Sequence, residues 1–322
     1  MPPTWDLHAL RIGVLFGGDS PERPGSIASA EAAGKSLNSQ GLHAELFDLS
    51  GMDWTALPGQ IDVALLASHG LGGEDGKAQG VLDLLGIPYT GSGVKASAVG
   101  MHKTTTKRAL TADMIDTPRW LDILPEYSTA TAVSAARMTL GRFPVFVKPV
   151  SGGGSLEAGI AHDEIQLAAL LDQAREQPYE QYMIEEYITG TACSVGVLEI
   201  NGTLRALPVH AVETDRAFYD YAAKHDTALR RERCPAGLPG EQDRRLQQIA
   251  VRVHQLLGAH GLSRVDFLVA PCGRTPVLEI NTVPGLSERG NLATMAAAGG
   301  IPYDEMVRHI LRTAFTKPAY VP

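Results

Sequence analysis

The amino-acid sequence predicts an α/β protein in which helices flank a parallel sheet. Short apolar stretches with strand character lie at residues 11–16, 44–49 and 63–68. A helical pattern of alanine and leucine separates the first two, at residues 26–40, and strands that alternate with helices are typical of parallel sheets. Glycine-rich stretches follow the first and third strands, beginning at Gly17 and Gly70. Because ligands in such sheets bind beyond the carboxyl ends of the strands, both stretches are candidate binding loops.

The rest of the chain predicts further strands and helices, interrupted by two loops. The predicted helices span residues 101–114 and 241–260, and the predicted strands span 143–149, 182–187, 193–200, 263–270 and 276–280. A loop at 151–155 is too rich in glycine for regular structure. Residues 213–233 are polar and irregular. They are predicted to form a long loop, and loops of that length are usually functional or disordered.

Composition limits the classes of function. The 322 residues are 44% hydrophobic and 20% charged, with a formal net charge of -8, which is ordinary for a globular protein of two or three domains. A mildly acidic chain without basic clusters is a poor candidate for binding nucleic acid or an anionic membrane. No apolar run reaches the roughly 18 residues that suggest a membrane span. The first residues lack signal-peptide character, and the three cysteines form no CxxC pair, so a cytoplasmic location is expected.

Four residues near the end of the chain form the strongest candidate site. Arg264 and Asp266 alternate along one predicted strand, and Glu279 and Asn281 alternate along the next. Side chains two residues apart in a strand point to the same face, so adjacent strands would bring two carboxylates, an amide and a guanidinium into one pocket. Hard oxygen ligands suit a magnesium ion that bridges nucleotide phosphates, and the arginine would stabilise negative charge on a reacting oxygen. The alternative is a surface salt-bridge cluster at strand ends.

Lys148 is a candidate phosphate-binding residue. It ends an apolar strand directly before the loop at 151–155, and a lysine next to flexible backbone N–H donors supplies positive potential. The Gly-Lys-Ser/Thr spacing of a Walker A loop is missing. Considered alone, a strand-edge lysine before a linker is the commoner interpretation, and Lys103 and Lys224 carry no signal of their own.

Six groups of motifs, in order and over nearly the whole length, identify a family. They are Leu15-Phe16-Gly17-Gly18 with Ser20 and Glu22, His69-Gly70 with Gly72-Gly73-Glu74-Asp75-Gly76, Gly86-Ile87-Pro88-Tyr89 with Gly91-Ser92-Gly93, Phe146-Val147-Lys148-Pro149, Phe218-Tyr219-Asp220-Tyr221 with Ala223-Lys224, and Arg264-Val265-Asp266-Phe267 with Glu279-Ile280-Asn281-Thr282 and Pro284-Gly285. The chain thereby resembles the D-alanine–D-alanine ligases of the ATP-grasp superfamily. The resemblance implies an ATP-grasp fold of three α/β domains. These would be a Rossmann-like, substrate-binding domain at 1–102, a central domain at 103–190, and a C-terminal domain at 191–322 with the metal site and a lid loop.

The resemblance also implies how ATP and magnesium are held. The implied ATP-binding residues are Lys103 and Lys148 at the phosphates, Ser155 in the closing loop, Glu185, Glu186, Tyr187 and Ile188 at the adenine, and Lys224 near the γ-phosphate. The implied magnesium ligands are Asp266, Glu279 and Asn281. Transfer of the γ-phosphoryl group to a carboxylate would make an acyl phosphate. The 213–233 loop would act as a lid that protects this intermediate from water.

A D-amino acid is the substrate that the resemblance implies. Glu22, with Ser155 nearby, would bind its ammonium group, and His69 would lie near its carboxylate. Arg264 and the Gly285 N–H would form the oxyanion site when an amine attacks the activated carboxyl group. By the same resemblance, the protein is expected to form a homodimer.

The sequence departs from the family mainly around the incoming amine. His225 stands where the family usually has a tyrosine, and imidazole titrates near neutral pH; a solvated loop histidine is the alternative. Gly290 replaces a serine that helps to bind the second carboxylate, which leaves Asn291 or Arg289 to compensate. Ala192 replaces a glutamate that commonly binds the ribose.

Three alternatives to simple dipeptide formation are open, and the first follows from these departures. The changed acceptor site fits a specialised relative such as O-ureido-D-serine cyclo-ligase, in which the activated carboxylate is attacked within its own molecule to form the antibiotic D-cycloserine. The second alternative is a non-catalytic nucleotide-binding relative. The complete set of metal and phosphate residues argues against it, because a pure binding module has no need for that set. The third is an amino-acid kinase, which would share the first half of the reaction.

Overall fold

The first of three sheets is parallel. The computed structural model of the protein describes residues 5–153, 158–177 and 181–318. Its N-terminal sheet consists of β1 (Arg11–Phe16), β2 (His43–Asp48) and β3 (Val63–Leu66), in the parallel order β2-β1-β3. α1 (Arg23–Ser39) connects β1 with β2. The predicted parallel sheet is confirmed, although α1 begins three residues before the predicted start at residue 26.

Three helices lead from this sheet to the next, and the helix predicted at 101–114 is present as the third of them, with a later start. The structure has α2 (Lys77–Leu85), α3 (Val94–Met101) and α4 (Lys103–Ala112). His102 separates α3 from α4 because its backbone is extended (φ -92°, ψ 93°) and its side chain accepts a hydrogen bond from the Thr105 N–H. An N-cap of this kind satisfies a donor that the first helical turn leaves without a partner. It places Lys103 at the first position of α4.

The second sheet is antiparallel and carries two helices. Its strands are β4 (Trp120–Ile123), β5 (Val145–Pro149), β6 (Gly159–Ala161) and β7 (Tyr182–Glu186), in the order β4-β7-β5-β6. α5 (Thr129–Leu140) and α6 (Glu164–Arg175) pack on it through a core that includes Leu140, Val145 and Leu167. Ser128 and Asp163 cap the two helices at their N-termini. Lys148 lies on β5, next to the neighbouring strand β7.

The third sheet is also antiparallel. Its strands are β8 (Thr191–Ile200), β9 (Thr203–Ala206), β10 (His210–Glu213), β11 (Arg231–Arg233), β12 (Leu262–Val269) and β13 (Val277–Asn281). They run in the order β11-β10-β8-β12-β13, with β9 paired to β8, and α8 (Gly240–Leu256) packs on β8, β9 and β12. The stretch at 213–233 is more regular than predicted. Its ends belong to β10 and β11, and the short helix α7 (Tyr221–His225) lies between them.

The last two helices, α9 (Asn291–Ala298) and α10 (Tyr303–Arg312), return the chain to the first sheet. Met306 and Ile310 share a buried core with Val14 and Leu37, and Leu292 belongs to the same core. This burial brings the segment after β13 close to the loops that follow β1 and β3. None of the helices in the described part of the chain is long and apolar enough to cross a membrane.

Candidate active site

A cavity of about 680 Å³ is lined by residues from all three parts of the fold. The predicted site residues that line it are Glu22, His69, Lys103, Lys148, Glu185, Glu186, Tyr187, Ile188, Lys224, Arg264, Asp266, Glu279, Asn281, Gly285, Gly290 and Asn291. Ser155 lies outside the described residues. His225 ends α7, but its side chain is not described. The tertiary structure therefore brings together residues that are up to about 270 positions apart in the sequence, in one cavity.

The strand pair β12–β13 forms one wall of this cavity. Arg264 pairs with Asn281 across the two strands, and Asp266 pairs with Glu279. Arg264 donates from Nε and Nη2 to the two oxygens of Asp266, at 2.8 Å each. Ser194 on β8 donates to the same carboxylate at 2.7 Å. The alternation of the sequence thus places two carboxylates, an amide and a guanidinium together, and it does so inside a cavity instead of on an open surface.

The oxygen atoms on this wall fit a hard divalent cation. Like charges directly opposite each other across a sheet are unfavourable, and Asp266 faces Glu279 in this way. A cation between them would remove that repulsion, and carboxylate and amide oxygens are the ligands that magnesium prefers. Within the described ranges, no group of three or more His, Cys, Asp or Glu side chains is arranged to hold a metal ion. A magnesium ion here would therefore also need the amide oxygen of Asn281 and oxygens of a bound phosphate.

Glu279 lies among cations. Its Oε2 is 3.7 Å from Lys103 Nζ. Burial by itself would raise the pKa of this carboxyl group, but Lys103, Lys148, Lys224 and Arg264 outweigh burial and lower the pKa to about 2. Glu279 is therefore ionised at neutral pH. The surplus of positive charge around it is what a polyphosphate would neutralise.

Two lysines on other elements line the cavity as well, Lys103 at the start of α4 and Lys148 on β5. Polar contacts hold both in position. The Lys103 ammonium donates to the Gly152 carbonyl, and its backbone N–H donates to the Val150 carbonyl at 3.0 Å. The Lys148 ammonium lies 2.6 Å from Glu185 Oε1. The contacts of Lys103 therefore link it to the start of the glycine-rich loop, whereas the contact of Lys148 links β5 to β7.

Lys107 carries no recognisable motif, but it completes a buried ion cluster with Lys148 and Glu185. Its side chain is fully buried, and its ammonium lies 2.9 Å from Glu185 Oε2. It also donates to Thr117 Oγ1 and to the Pro118 carbonyl, both at 2.9 Å. The Glu185 carboxylate therefore bridges two lysines. Burial would raise the pKa of Glu185, but the two lysines outweigh it and lower the pKa.

The segment after Glu185 is held in place by contacts from outside the second sheet. The Glu186 carboxylate accepts the Arg119 N–H at 3.1 Å and lies 2.7 Å from Arg274 Nη1. The Tyr187 hydroxyl donates to the Ala217 carbonyl at 2.7 Å, so this segment also contacts the 213–233 loop. These contacts leave the backbone of 185–188 along the cavity wall, where it is available to a planar base.

Two carboxylates lie at the other end of the cavity. Glu22 and Glu74 each have an oxygen, Oε2, that is buried and has no hydrogen-bond partner among the described residues. Burial is the main cause that raises the pKa of both groups, and the negative charge of Glu22 raises the pKa of Glu74 further. A buried polar atom without a partner is costly, so this end of the cavity suits a cationic group such as a substrate ammonium. Glu74 belongs to the glycine-rich motif, but the sequence did not reveal its burial.

The backbone closes tightly around Glu22. A Cβ atom at Gly70 would lie 2.7 Å from Glu22 Oε2, and Gly70 has a positive φ of 75°. A Cβ atom at Gly153 would lie 2.7 Å from Glu22 Oε1. The positive φ favours glycine at Gly70, whereas a side chain at Gly153 would require the Glu22 carboxylate to move. The described start of the glycine-rich loop reaches Glu22, as expected if that loop covers a substrate bound there.

His69 contacts the segment that follows β13. Its Nε2 lies 2.9 Å from Ser29 Oγ, and the same oxygen accepts the Leu286 N–H at 3.0 Å. Burial is the main cause that lowers the pKa of His69 to about 4, so the ring is neutral at pH 7. Ser29, which the sequence did not suggest, thus links His69 to the residue that follows Gly285. His69 lines the cavity, but its Nε2 is engaged in the contact with Ser29 that holds Leu286 in place.

Asn291 begins α9 at the edge of the cavity, and Gly290 is the N-cap residue before it. The Gly290 N–H donates to the Ser287 carbonyl at 2.9 Å, and a Cβ atom at Gly290 would lie 2.9 Å from Ser287 Oγ. A larger residue here requires the Ser287 side chain to move. Gly290 offers no side chain to cap the helix or to bind a ligand. The Ser287 hydroxyl stands beside it and also lines the cavity.

We expect the free energy of unfolding to fall as the pH falls from about 6.5 to about 4, because buried histidines must be protonated when the protein unfolds. His254 is buried beside Ser263 Oγ at 2.7 Å, and burial lowers its pKa to about 4, as in His69. Between these pH values the unfolded chain binds more protons than the folded chain, so stability rises with pH. Urea unfolding across this range should show a weaker pH dependence for His254→Gln. His43→Gln, at an exposed position, should match the wild type, and equal slopes for all three proteins would contradict the assignment to His254.

Fold and site together define the class of this protein as an ATP-grasp enzyme, since a cavity between two antiparallel sheets has lysines on one wall and acidic and amide oxygens on the other. Two family models match the chain: "D-ala D-ala ligase C-terminus" over residues 109–312 and "D-ala D-ala ligase N-terminus" over residues 43–92. The chain belongs to the D-alanine–D-alanine ligase family.

The similarity to known ligases extends over nearly the whole chain. The D-alanine–D-alanine ligase of Methylibium petroleiphilum is 36% identical over 308 residues, which cover 94% of this chain and 95% of the relative. That of Methylococcus capsulatus is 37% identical, with 95% and 96% covered. Among solved structures, the Bacillus anthracis ligase in complex with ATP superposes with a TM-score of 0.82 at 30% identity, covering 96% of this chain and 98% of the other. The VanG D-Ala:D-Ser ligase of Enterococcus faecalis has a TM-score of 0.81 at 25% identity, with 94% and 99% covered.

Proposed function

We propose that this protein is an ATP-dependent, ADP-forming ligase that activates the carboxylate of a D-amino acid as an acyl phosphate and joins it to an amine. The observation that carries the proposal is the composition of the cavity. Lys103, Lys148 and Lys224 converge on the carboxylate of Glu279, which remains ionised among them. Such a site holds a polyphosphate and compensates the charge that moves during phosphoryl transfer.

In this proposal, Lys103 and Lys148 bind the phosphates of ATP, and Lys224 approaches the group that is transferred. The backbone of residues 185–188 binds the adenine. Asp266, Glu279 and Asn281 would hold magnesium, which would neutralise phosphate charge. These residues come from different parts of the fold, so binding of ATP joins the second and third sheets across the cavity. The proposed domain limits, 1–102, 103–190 and 191–322, place the nucleotide between the last two domains.

The first amino acid is proposed to bind at the other end of the cavity. Glu22 accepts its ammonium group, and the buried Glu74 adds a second acidic neighbour. Arg264 and the Gly285 N–H stabilise the oxyanion that forms when the amine attacks the acyl phosphate. The attack forms the C–N bond, and the bond between carbonyl carbon and phosphate oxygen breaks to release inorganic phosphate. The proton lost by the amine leaves with the released products or solvent.

D-Alanine is the first substrate to test, because the matched relatives carry the name D-alanine–D-alanine ligase. The second amino acid is less constrained, since Gly290 provides no side chain to bind its carboxylate. The VanG protein is itself named a D-Ala:D-Ser ligase, so D-serine is a reasonable second acceptor. Neither the cavity nor the similar proteins favour intramolecular cyclisation over these acceptors.

The proposal is tested by incubating the protein with ATP and magnesium chloride and measuring ADP release together with product mass. D-Alanine alone is expected to give ADP and a D-alanyl dipeptide, whereas L-alanine is expected to give neither. D-Alanine with D-serine then defines the acceptor. ADP release without a condensed product, or a stable phosphorylated amino acid, would contradict ligase activity and favour a kinase. Activity that persists after EDTA treatment would contradict the proposed magnesium requirement.

Two further proposals accompany this function. The protein is proposed to be a homodimer, which sedimentation velocity would test directly. It is also proposed to be cytoplasmic, where ATP is available. Both rest on membership of the family, and size analysis showing a monomer at micromolar concentration would overturn the first.

A further inference from the structure

The short helix α7 carries Lys224 into the cavity. It has five residues, Tyr221–His225, and helices of this length are not stable on their own in water. Its N-terminus is capped by Asp220, whose carboxylate accepts the Ala223 N–H at 2.9 Å. Arg216 donates to the same carboxylate at 2.6 Å. The position of Lys224 therefore depends on contacts at both ends of the helix.

Arg230 makes the contact at the C-terminal end. Its Nη1 donates to the carbonyl oxygens of Ala223 and Lys224, at 2.8 Å each. The last carbonyls of a helix have no partner within the helix, and a cation at that end also interacts favourably with the helix dipole. The Arg230 side chain is only 13% exposed, so this cap is shielded from water. One guanidinium nitrogen thus fixes the backbone of the residue whose ammonium is proposed to approach the transferred phosphate.

Arg230 in turn is attached to the third sheet. Its Nε donates to Glu232, which lies on β11 opposite Val212 of β10. The other carboxylate oxygen of Glu232 lies 3.5 Å from Nε2 of the fully buried His210. The guanidinium therefore links a strand of the sheet to the end of α7. A lysine could supply the charge at this position, but it lacks the planar set of donors that reaches the carbonyls and the carboxylate together.

We propose that Arg230 is a positioning residue that sets the distance of Lys224 from bound phosphate by joining the C-terminal end of α7 to β11. The inference rests on the proposed function, because that function assigns Lys224 to the transferred phosphate. The proposed function assigns no substrate contact to Arg230. Arg230 acts through two backbone carbonyls, so its effect is expected in the rate of phosphoryl transfer more than in the stability of the fold.

The adjacent Arg231 provides a matched control. It forms an ion pair with Asp215 at 2.9 Å, but these side chains are 66% and 85% exposed. Exposed ion pairs contribute little, so Arg231→Met should leave kcat and the melting temperature unchanged. The comparison of Arg230→Met with Arg231→Met thus separates loss of this cap from loss of a positive charge at the neighbouring position, the first residue of β11.

The experiment measures kcat, the KM for ATP and the melting temperature of each variant. It also measures how strongly an amine-reactive reagent labels Lys224 with and without ATP and magnesium, as read by peptide mass spectrometry. For Arg230→Met we expect kcat to fall roughly 10- to 100-fold, because the substitution removes two hydrogen bonds from a charged donor. Arg230→Lys should retain more activity than Arg230→Met but less than the wild type. ATP should protect Lys224 from labelling in the wild type and in Arg231→Met, and protect it much less in Arg230→Met.

The outcomes separate this inference from the proposed function. Full activity and full ATP protection in Arg230→Met would overturn the positioning role. A loss of activity that follows a large fall in melting temperature, with Lys224 protected normally in the folded fraction, would also overturn it. If the wild type formed no product with any amino acid, the proposed function would fail, but the labelling of Lys224 would still test whether Arg230 controls its position.

Discussion

Glu279→Gln is expected to lower kcat for ADP release roughly 10²- to 10³-fold, the size of effect seen when one preorganised electrostatic group is removed from an active site. Glutamine nearly preserves the shape of glutamate but removes its negative charge. Lys103, Lys148, Lys224 and Arg264 all act on this carboxylate, so the substitution leaves these cations to repel one another. It also removes a proposed magnesium ligand.

The measurement is initial-rate ADP release at saturating ATP and D-alanine over a range of magnesium concentrations. Glu126→Gln, at an exposed position, is the matched control and should behave as the wild type. Partial recovery of the Glu279→Gln variant at high magnesium would support the metal-binding role, because a weakened site fills at higher concentration. A kcat close to the wild-type value at ordinary magnesium concentration would contradict the proposed role of Glu279.

Lys107→Met is expected to cause the largest loss of stability, about 3 kcal/mol, which is the lower end of the range for breaking a buried ion pair. Lys107 is fully buried and satisfies Glu185, Thr117 and the Pro118 carbonyl. Methionine fills much of the volume but donates no hydrogen bond. Lys148 still contacts Glu185, which is why the lower end of the range is expected.

Urea unfolding gives the free-energy change, and Arg108→Met serves as the neighbouring control. Arg108 pairs with Asp122, but its side chain is 63% exposed, so a change within about 1 kcal/mol is expected. The double variant Lys107→Met/Glu185→Gln should lose less stability than the sum of the single variants. Once Lys107 is replaced, the Glu185 carboxylate has lost one of its partner cations, so neutralising it costs less. Additive losses would contradict the coupling of Lys107 and Glu185.

The sequence predicted the features that depend on local repetition. Alternation along two neighbouring strands was enough to predict that Asp266 and Glu279 share a pocket, because side chains in a strand alternate with a fixed period; the register that pairs them came from the structure. The parallel first sheet followed from strands that alternate with a helix. The family motifs and the residues around them then implied sixteen of the residues that line the cavity, although their roles remain predictions.

Local structure was less predictable where one side chain decided it. The helix expected at 101–114 starts only after His102, which ends one helix and caps the next. The 213–233 loop contains α7 because Asp220 and Arg230 cap a helix that its own length cannot stabilise. Such contacts give no periodic signal in the sequence.

By itself, the sequence determined the order of the elements and the chemical groups available to the site. Only the tertiary structure decided that Lys107 and Lys148 share Glu185, that Ser29 links His69 to Leu286, and that Glu74 is buried beside Glu22. The physical reason is distance along the chain. Burial and hydrogen bonding between residues far apart depend on how helices and sheets pack, and that packing is not encoded in any short pattern of residues.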